Sequence, residues 1–396
     1  MQRPIYMDCH ATTPLDPRAL EAMLPYLREH FGNASSRTHS FGWAAEEAVD
    51  AARAQVAALL GAQAREIVFT SGATEAIHLA LRGSARRERG GHIVTTAIEH
   101  KAVLDTLAEL EKQGLETTRV PVGSDGVVDP EAIRAALRSD TFLVCVMAAN
   151  NEIGTLQPLA EVGQLTRERG ILLFTDAAQA VGKVPLDVEA LQIDLLSMSA
   201  HKAYGPKGVG ALYVRRRGRR VRLAPASPGG GQERGLRSGT LNVPGIVGLG
   251  MACEIAGAEL EVEAKRVLGL RERLRQGIES AVPDVTLNGS PTQRLPGNLN
   301  MSFAGVQGES LLMQLNDIAV SPGSACDSAS GEPSHVMRAL GVPDDLARSS
   351  IRFGLGRFNT QEEVDYVLDK VIAVVGRLRR ASPLYANGMS SQGESS

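Results

Sequence analysis

The sequence lacks the features of a fibrous, secreted or membrane-embedded protein. Its 396 residues include four cysteines, at positions 9, 145, 253 and 326, and no CxxC pair. Four scattered cysteines are too few to crosslink a chain of this length, and none has the spacing of a zinc site, so each is predicted to be a free thiol. No uninterrupted run of about 18 apolar residues is present, and the N-terminus has no signal-like segment. We expect a soluble, cytoplasmic protein without a membrane partner.

The chain also lacks a strong excess of charge of either sign. Its 42 Lys and Arg residues nearly balance its 45 Asp and Glu residues, which gives a formal net charge of −3. The basic run RRRGRR at 215–220 has no interleaved aromatic residues, so we interpret it as a solvated turn rather than a nucleic-acid site. No nucleic-acid partner is predicted, which leaves small molecules and proteins.

Alternating segments predict the fold of the longer part of the chain. Short β-rich runs such as IVFT (67–70), ILLFTD (171–176) and DLLSMS (194–199) alternate with helical patterns from about residue 44 to 250. This alternation is typical of an α/β fold, in which helices cover both faces of a doubly wound, mostly parallel sheet. Ligands of such sheets bind beyond the carboxyl ends of the strands, so the residues just after each strand are the candidates for chemistry.

A second, smaller α+β domain is predicted where this alternation ends. A chain of 396 residues is longer than single hydrophobic cores usually grow. We assign residues 15–256 to the large domain, and residues 1–14 and 257–385 to the small one. Residues 386–396 are small and polar and are predicted to be a disordered tail.

Three post-strand segments carry candidate chemistry. TSGATE (70–75) offers the N–H groups and dipole of a helix start, which suit a phosphate, although an ordinary capped helix has the same pattern. Asp176 ends a β-rich run, where it could face a protonated pyridine nitrogen or cap a helix. Lys202 follows another run, beside Ser199 and His201; desolvation and nearby positive charge would favour the neutral amine that a Schiff base requires, whereas an isolated lysine would be a surface residue. Together the three segments predict pyridoxal phosphate (PLP) as cofactor.

Nine ordered segments span nearly the whole chain, and five of them are FTSGATEA (69–76), IEHKAVLDT (98–106), TDAAQAVGK (175–183), SAHKAYGPKGVG (199–210) and SPGSACDSAS (321–330). These segments resemble cysteine desulfurases of the NifS/IscS-like branch of the class V aminotransferase family. The resemblance implies PLP fold type I, and removal of sulfur from L-cysteine to give L-alanine and a persulfide on Cys326. It further implies a homodimer and a sulfur acceptor, such as an IscU/NifU-like scaffold, that serves iron–sulfur cluster assembly or tRNA thiolation.

The resemblance also implies a role for each matched residue. Lys202 binds the cofactor and carries a proton, Cys326 attacks the substrate sulfur, and His100 stacks on the cofactor ring and transfers a proton. Asp176 pairs with the pyridinium nitrogen, and Gln179 donates to the phenolic oxygen. The phosphate is held by Ala73, Thr74, Ser199, His201 and, from a second subunit, Thr240. The substrate carboxylate is held by Asn151 and Arg352, unless Arg352 is a surface arginine on an edge strand.

Composition independently favours Cys326 among the cysteines. Cys145 lies in an apolar run and Cys253 in a helical pattern, where packing explains them. Cys326 lies in a predicted loop, 321–331, rich in Ser, Gly and Ala, a composition that is typical of mobile, exposed segments. The neighbouring Asp327 departs from the family pattern; its negative charge would disfavour the thiolate and slow turnover.

Two alternatives remain at this point. A selenocysteine lyase, or another PLP β-lyase or aminotransferase, would share the cofactor residues without the covalent sulfur step. A scaffold protein that keeps the fold without catalysis is an alternative of a different class. Retention of Lys202, Asp176, His100 and Cys326 argues against the scaffold.

Overall fold

The computed structural model describes residues 4–88, 91–225, 228–323 and 333–381. Strands and helices alternate along these residues. The strands are β1 (Ile5–Tyr6), β2 (Ile67–Thr70), β3 (His92–Thr96), β4 (Glu116–Val120), β5 (Thr141–Cys145), β6 (Leu172–Asp176), β7 (Leu195–Ser199), β8 (Gly210–Val214), β9 (Val285–Leu287), β10 (Asn298–Phe303), β11 (Ile318–Ala319), β12 (Ser321–Pro322) and β13 (Ser350–Gly354). The α-helices are α1 (Pro17–Arg28), α2 (Ser40–Leu59), α3 (Ala73–Glu88), α4 (Lys101–Glu111), α5 (Pro130–Ala136), α6 (Leu159–Glu168), α7 (Val243–Ala281), α8 (Gly308–Gln314), α9 (His335–Ala339), α10 (Asp344–Arg348) and α11 (Gln361–Ala381).

Seven strands form the central sheet, in the order β2-β8-β7-β6-β5-β3-β4. Neighbouring strands are parallel, except that β8 runs antiparallel to both β2 and β7. Every residue of β2, β7 and β8 is buried, which is why these strands read as continuous apolar runs rather than alternating ones. The predicted α/β class with a mostly parallel sheet is confirmed, whereas no pattern in the sequence predicted the antiparallel direction of β8.

Local sequence explains where several helices begin. Asp129 precedes α5 and accepts a hydrogen bond from the backbone N–H of Glu131, and Pro130 occupies the first helical position. His100 caps α4 in the same way, through its ring. Because these caps sit directly after strands or turns, they fix the point at which the chain leaves the edge of the sheet.

A smaller antiparallel sheet, in the order β12-β13-β10-β9, packs with α11 around a second hydrophobic cluster. Helix α7 serves both clusters: Ile246 and Leu249 pack in the cluster under the central sheet, and Leu270 and Leu274 pack in the second. The boundary assigned between residues 256 and 257 therefore falls within one continuous helix. The division into domains stays a prediction.

Helix α7 is the one helix in the described ranges that is long and apolar enough, by length and composition, to cross a membrane. Of its most apolar 18-residue window, 56% is buried inside the protein. A core helix shared by two clusters has this composition because both of its ends must be apolar on the packed side.

The basic run at 215–220 is not a solvated turn throughout, so that prediction was wrong for part of it. The side chain of Arg215 is 3% exposed and lies 3.3 Å from the buried carboxylate of Asp194. Arg217 reaches the fully buried Glu66 at 3.4 Å. A charge run read along the chain does not reveal carboxylates that face it from distant segments, which is why the burial was missed.

Candidate active site

Three strand ends converge at one edge of the central sheet. Strands β2, β6 and β7 run in the same direction, so their carboxyl ends lie together. Their last residues are Thr70, Asp176 and Ser199, and α3 and the 3-10 helix Ala200–Lys202 begin just beyond them. The residues that the sequence analysis chose for chemistry are thus grouped by the topology of the sheet.

Lys202 lies at the end of its 3-10 helix, held by the N-terminal segment. Its Nζ donates to the backbone oxygens of His10, at 2.6 Å, and Ala11, at 2.8 Å. The buried Thr13 stabilises the same turn, because its backbone N–H and its hydroxyl both donate to the backbone oxygen of His201. These contacts join residues that are 188 and 192 positions apart in the sequence, and they hold the Lys202 amine at the edge of the sheet.

Asp176 is almost fully buried, with 6% of its surface exposed. Its Oδ1 accepts from the backbone N–H of Ala178 and from the hydroxyl of Ser197, both at 3.0 Å. The first contact resembles the helix cap that was considered as an alternative. Because both donors are neutral, they orient the carboxylate without neutralising it, which suits a cationic partner.

A backbone hydrogen bond defines which ring nitrogen of His100 carries the proton. Its Nδ1 accepts from the backbone N–H of Ala102 at 3.1 Å. A nitrogen that accepts a backbone N–H bears no proton, so the neutral ring carries its proton on Nε2. Nε2 is therefore the atom through which His100 would exchange a proton.

Glu99, the residue before His100, is fully buried. Its Oε1 accepts from the Thr96 hydroxyl and from the backbone N–H of Met147, both at 2.8 Å. Burial, with a smaller contribution from the charge of Asp176, raises the pKa of Glu99 to about 8. Glu99 thus joins the end of β3 to the segment after β5 as a neutral carboxyl group at pH 7.

The start of α3 lies close to the end of β7. Gly210 of β8 pairs with both Thr70 and Ser199, and a Cβ at Gly210 would lie 2.7 Å from the Cα of Gly72. Glycine at 210 therefore lets the helix start approach the strand end. Ala73 is the first residue of α3, whose first backbone N–H groups have no partner within the helix.

His201 lies two residues beyond the end of β7. Its Nδ1 lies 3.1 Å from the Thr12 hydroxyl. Burial, aided by the charge of Lys202, lowers the pKa of His201 to about 4, so its ring is neutral at pH 7 and acts as a hydrogen-bond donor or acceptor rather than as a cation. Thr240 is exposed on the surface of the chain.

Arg352 is 1% exposed and lies on β13, between β12 and β10, so the alternative of a surface arginine on an edge strand is wrong. One guanidinium nitrogen donates to the backbone oxygen of Asn151 and another to Asp8 Oδ1, each at 2.9 Å. The Ser321 hydroxyl donates to the same carboxylate oxygen at 2.9 Å. The two residues predicted to hold a substrate carboxylate are therefore in contact, next to the start of the 321–331 segment.

Known proteins resemble this chain along nearly its whole length. Cysteine desulfurase IscS of Anaeromyxobacter sp. (strain Fw109-5) is 60% identical over 387 residues, which cover 97% of this chain and 96% of the relative. Cysteine desulfurase of Homo sapiens is 57% identical over 385 residues, 97% of this chain and 84% of the relative. Residues 5–367 match the family model described as aminotransferase class-V. The chain belongs to the class V aminotransferase family, in its cysteine desulfurase branch.

Solved structures agree with this membership. A NifS-like protein matches with a TM-score of 0.88 at 42% identity, covering 95% of this chain and all of the other. A structure titled SspA in complex with cysteine matches with a TM-score of 0.80 at 36% identity, covering 90% of this chain and all of the other. The resemblance to NifS/IscS-like desulfurases, fold type I and the dependence on PLP are confirmed.

The residues of this class V enzyme fit PLP. A Cβ at Gly72 would lie 3.7 Å from the Ser199 hydroxyl, so this hydroxyl lies near the start of α3, where the N–H groups of Ala73 and Thr74 suit a phosphate. The buried Asp176 carboxylate suits a protonated ring nitrogen. Lys202 supplies the amine at the same sheet edge. The individual roles of these residues stay predictions.

Cys326 and Asp327 lie outside the described residues, as do most of the 321–331 loop and the predicted tail at 386–396. The other three cysteines of the desulfurase are buried free thiols. Burial raises the pKa of Cys9 and of Cys253 to about 12, and it raises the pKa of Cys145 further above its usual range. These three thiols are therefore unsuited to act as a nucleophile at neutral pH.

Sequence reasoning missed several polar residues that complete the desulfurase site. Asp8 contacts Arg352, and Lys183 donates to Gln179 Oε1 at 3.2 Å. Both ring nitrogens of His10 are buried without a partner among the described residues. The available signals were the position of Lys183 four residues after Gln179 and the polar run at 8–13, but neither indicates its contacts with distant segments.

Proposed function

We propose that the protein removes the sulfur of L-cysteine, releases L-alanine and leaves a persulfide on Cys326. The observation that carries the proposal is the convergence of Lys202, Asp176 and the start of α3 at one sheet edge. The family supports it, since its relatives are cysteine desulfurases and one related structure is titled as a complex with cysteine.

PLP, when bound, supplies an electron sink that stabilises negative charge at the substrate α-carbon. Lys202 would hold the cofactor and, when its amine is free, carry the proton of the α-carbon. The carbonyls of His10 and Ala11 would hold that amine in place. Asp176 would keep the ring nitrogen protonated, which keeps the sink effective.

Substrate positioning would fall to Arg352. Its guanidinium is buried and already oriented by Asp8 and by the backbone of Asn151, and its Nε has no partner among the described residues. A planar guanidinium makes two parallel, charge-assisted bonds to a carboxylate. Arg352 would thus hold the carboxylate of L-cysteine.

The sulfur transfer would proceed through two residues. His100 Nε2 would exchange a proton with the substrate thiol. Cys326, as thiolate, would attack the substrate sulfur: a sulfur–sulfur bond forms and the carbon–sulfur bond breaks. The electron pair of that broken bond stays with carbon, which takes up a proton to give alanine. The sulfur leaves as a persulfide, and no external oxidant is needed.

We infer that the enzyme works as a cytoplasmic homodimer that passes sulfur to an IscU/NifU-like acceptor for iron–sulfur cluster assembly or to tRNA thiolation. The exposed position of Thr240 supports a role for this residue in a neighbouring subunit. The name IscS carried by relatives at 60% identity supports the assembly pathway.

The test supplies L-cysteine and a reductant and measures sulfide and alanine from wild type and Cys326→Ser. We expect Cys326→Ser to lose nearly all sulfide release, and the matched control Cys253→Ala, which removes a buried thiol in α7, to keep it. Equal sulfide from wild type and Cys326→Ser would favour a PLP β-lyase without the covalent sulfur step. A colourless protein that releases no sulfide would favour a scaffold.

A further inference from the structure

Lys183 is a half-buried lysine that the proposed mechanism does not use. Its Nζ donates to Gln179 Oε1 at 3.2 Å, and Nε2 of the same amide donates to the backbone oxygen of His10 at 2.9 Å. That backbone oxygen also accepts from Lys202 Nζ at 2.6 Å. A short chain of hydrogen bonds therefore joins the two lysines through Gln179 and His10.

The surroundings of Lys183 do not neutralise its charge. In the part of the chain that the structure describes, Lys183 forms no ion pair, and the carboxylate of Glu263 pairs instead with Arg357 at 2.7 Å. Burial, followed by the charge of Lys202, lowers the pKa of Lys183 to about 7. The charged or titratable groups that face it are Cys9 and His10 of the N-terminal segment, Lys202 of the 3-10 helix, Glu263 of α7 and Arg352 of β13.

We propose that Lys183 is a positioning residue of the cofactor site, which fixes the orientation of the Gln179 amide. This inference rests on the proposed roles of Lys202 and Gln179.

The orientation follows from the hydrogen-bonding capacity of the partners. The backbone oxygen of His10 accepts and cannot donate, and a charged lysine donates and cannot accept, so Nε2 of Gln179 must face His10 and Oε1 must face Lys183. Nε2 carries two hydrogens, and the one not used by His10 can be donated to the phenolic oxygen of PLP. Loss of Lys183 would leave Gln179 Oε1 without this donor, so the amide group would be held less firmly in its orientation.

The test compares purified holoenzymes carrying Lys183→Met and Lys183→Arg with wild type, in the absence of substrate. The absorbance of the bound cofactor is titrated from about pH 6 to about pH 10, a range that spans the expected ionisations. We expect Lys183→Met to raise the titration midpoint by about one pH unit, because the Gln179 amide that donates to the phenolic oxygen is no longer held in place, and to weaken cofactor binding. Lys183→Arg, which keeps the donor to Gln179, should leave the midpoint unchanged.

Three further variants make the outcome decisive. Lys112→Met removes the charge of an exposed lysine and should titrate as wild type. If Lys183→Met does not retain cofactor, Lys183→Leu, which also removes the donor, replaces it and should also raise the midpoint. A midpoint equal to that of wild type, or the same shift in Met and Arg variants, would overturn the proposal. Lys202→Ala tests the proposed role of Lys202 separately from that of Lys183. If the cofactor of Lys202→Ala still titrates as a covalent adduct, the assignment of Lys202 fails.

Discussion

At the scale of single residues, burial sets the chemistry of this site more than net charge does. Glu99 is neutral at pH 7 because its carboxyl group is desolvated, whereas Asp176 accepts hydrogen bonds from two neutral donors. His201 is neutral for the same reason as Glu99. The site therefore contains neutral groups of both acidic and basic type beside a buried carboxylate.

Replacing Glu99 by glutamine should stabilise the protein in a pH-dependent way. The pKa of Glu99 is about 8 in the folded protein against 4.5 for the ordinary group, so the wild type loses stability as pH rises from about 4.5 to about 8. Glutamine does not ionise and so avoids this loss. The free energy of unfolding of Glu99→Gln should therefore exceed that of wild type by on the order of 3 kcal/mol at pH 7 and by little at pH 4. Chemical denaturation at several pH values measures the difference; a difference independent of pH would contradict a protonated Glu99.

Arg352→Lys should weaken binding of the substrate carboxylate. Lysine has the charge without the planar fork, so we expect kcat/KM for L-cysteine to fall about 10- to 100-fold, mainly through a higher KM. Steady-state kinetics checks this, with the exposed Arg138→Lys as control. An unchanged KM would mean that Arg352 serves the structure alone.

At the scale of elements, the antiparallel direction of β8 brings the start of α3 close to the end of β7, where we propose that the phosphate binds. Gly210 lies between Thr70 and Ser199, and its missing side chain admits Gly72. Apolar runs and turn residues predicted the strands and the position of their ends. The antiparallel direction of β8 and the return of residues 8–13 to the sheet edge could not be predicted, because they depend on contacts between segments nearly 200 residues apart.

Gly210→Ala should impair the cofactor site. A Cβ there would lie 2.5 Å from the backbone oxygen of Met198 and 2.7 Å from the Cα of Gly72, so the start of α3 must move. We expect affinity for PLP to fall about 10-fold or more, since about 1.4 kcal/mol corresponds to each factor of ten. Titration of the apoenzyme with PLP measures it. Gly269→Ala in α7, where a Cβ meets nothing within 4 Å, is the matched control and should bind PLP normally.

At the scale of the whole molecule, the proposed site needs a second copy of the chain. Thr240 is exposed, whereas the other predicted phosphate ligands cluster at the edge of the central sheet. In a symmetric dimer each protomer would complete the site of the other. The expectation that Thr240 acts in a neighbouring subunit came from the sequence resemblance, because contacts within a single chain carry no information about a second subunit.

Mixed dimers test the shared site. A dimer of one Lys202→Ala protomer and one Thr240→Val protomer has, if Thr240 acts across the interface, one site with native Lys202 and native Thr240. We expect such dimers, separated by two affinity tags, to bind PLP at that site with wild-type affinity, whereas Thr240→Val homodimers bind it several-fold more weakly. Equal weakening in mixed dimers and Thr240→Val homodimers would place Thr240 in its own subunit's site or outside the site.

The central claim is that Lys202, at the end of β7, carries the cofactor of this enzyme. Borohydride reduction of the purified holoenzyme, followed by peptide mapping by mass spectrometry, tests it directly. The account predicts a reduced pyridoxyl group on the peptide that contains Lys202 and none in Lys202→Ala. A label on another lysine, or one that persists in Lys202→Ala, would contradict it.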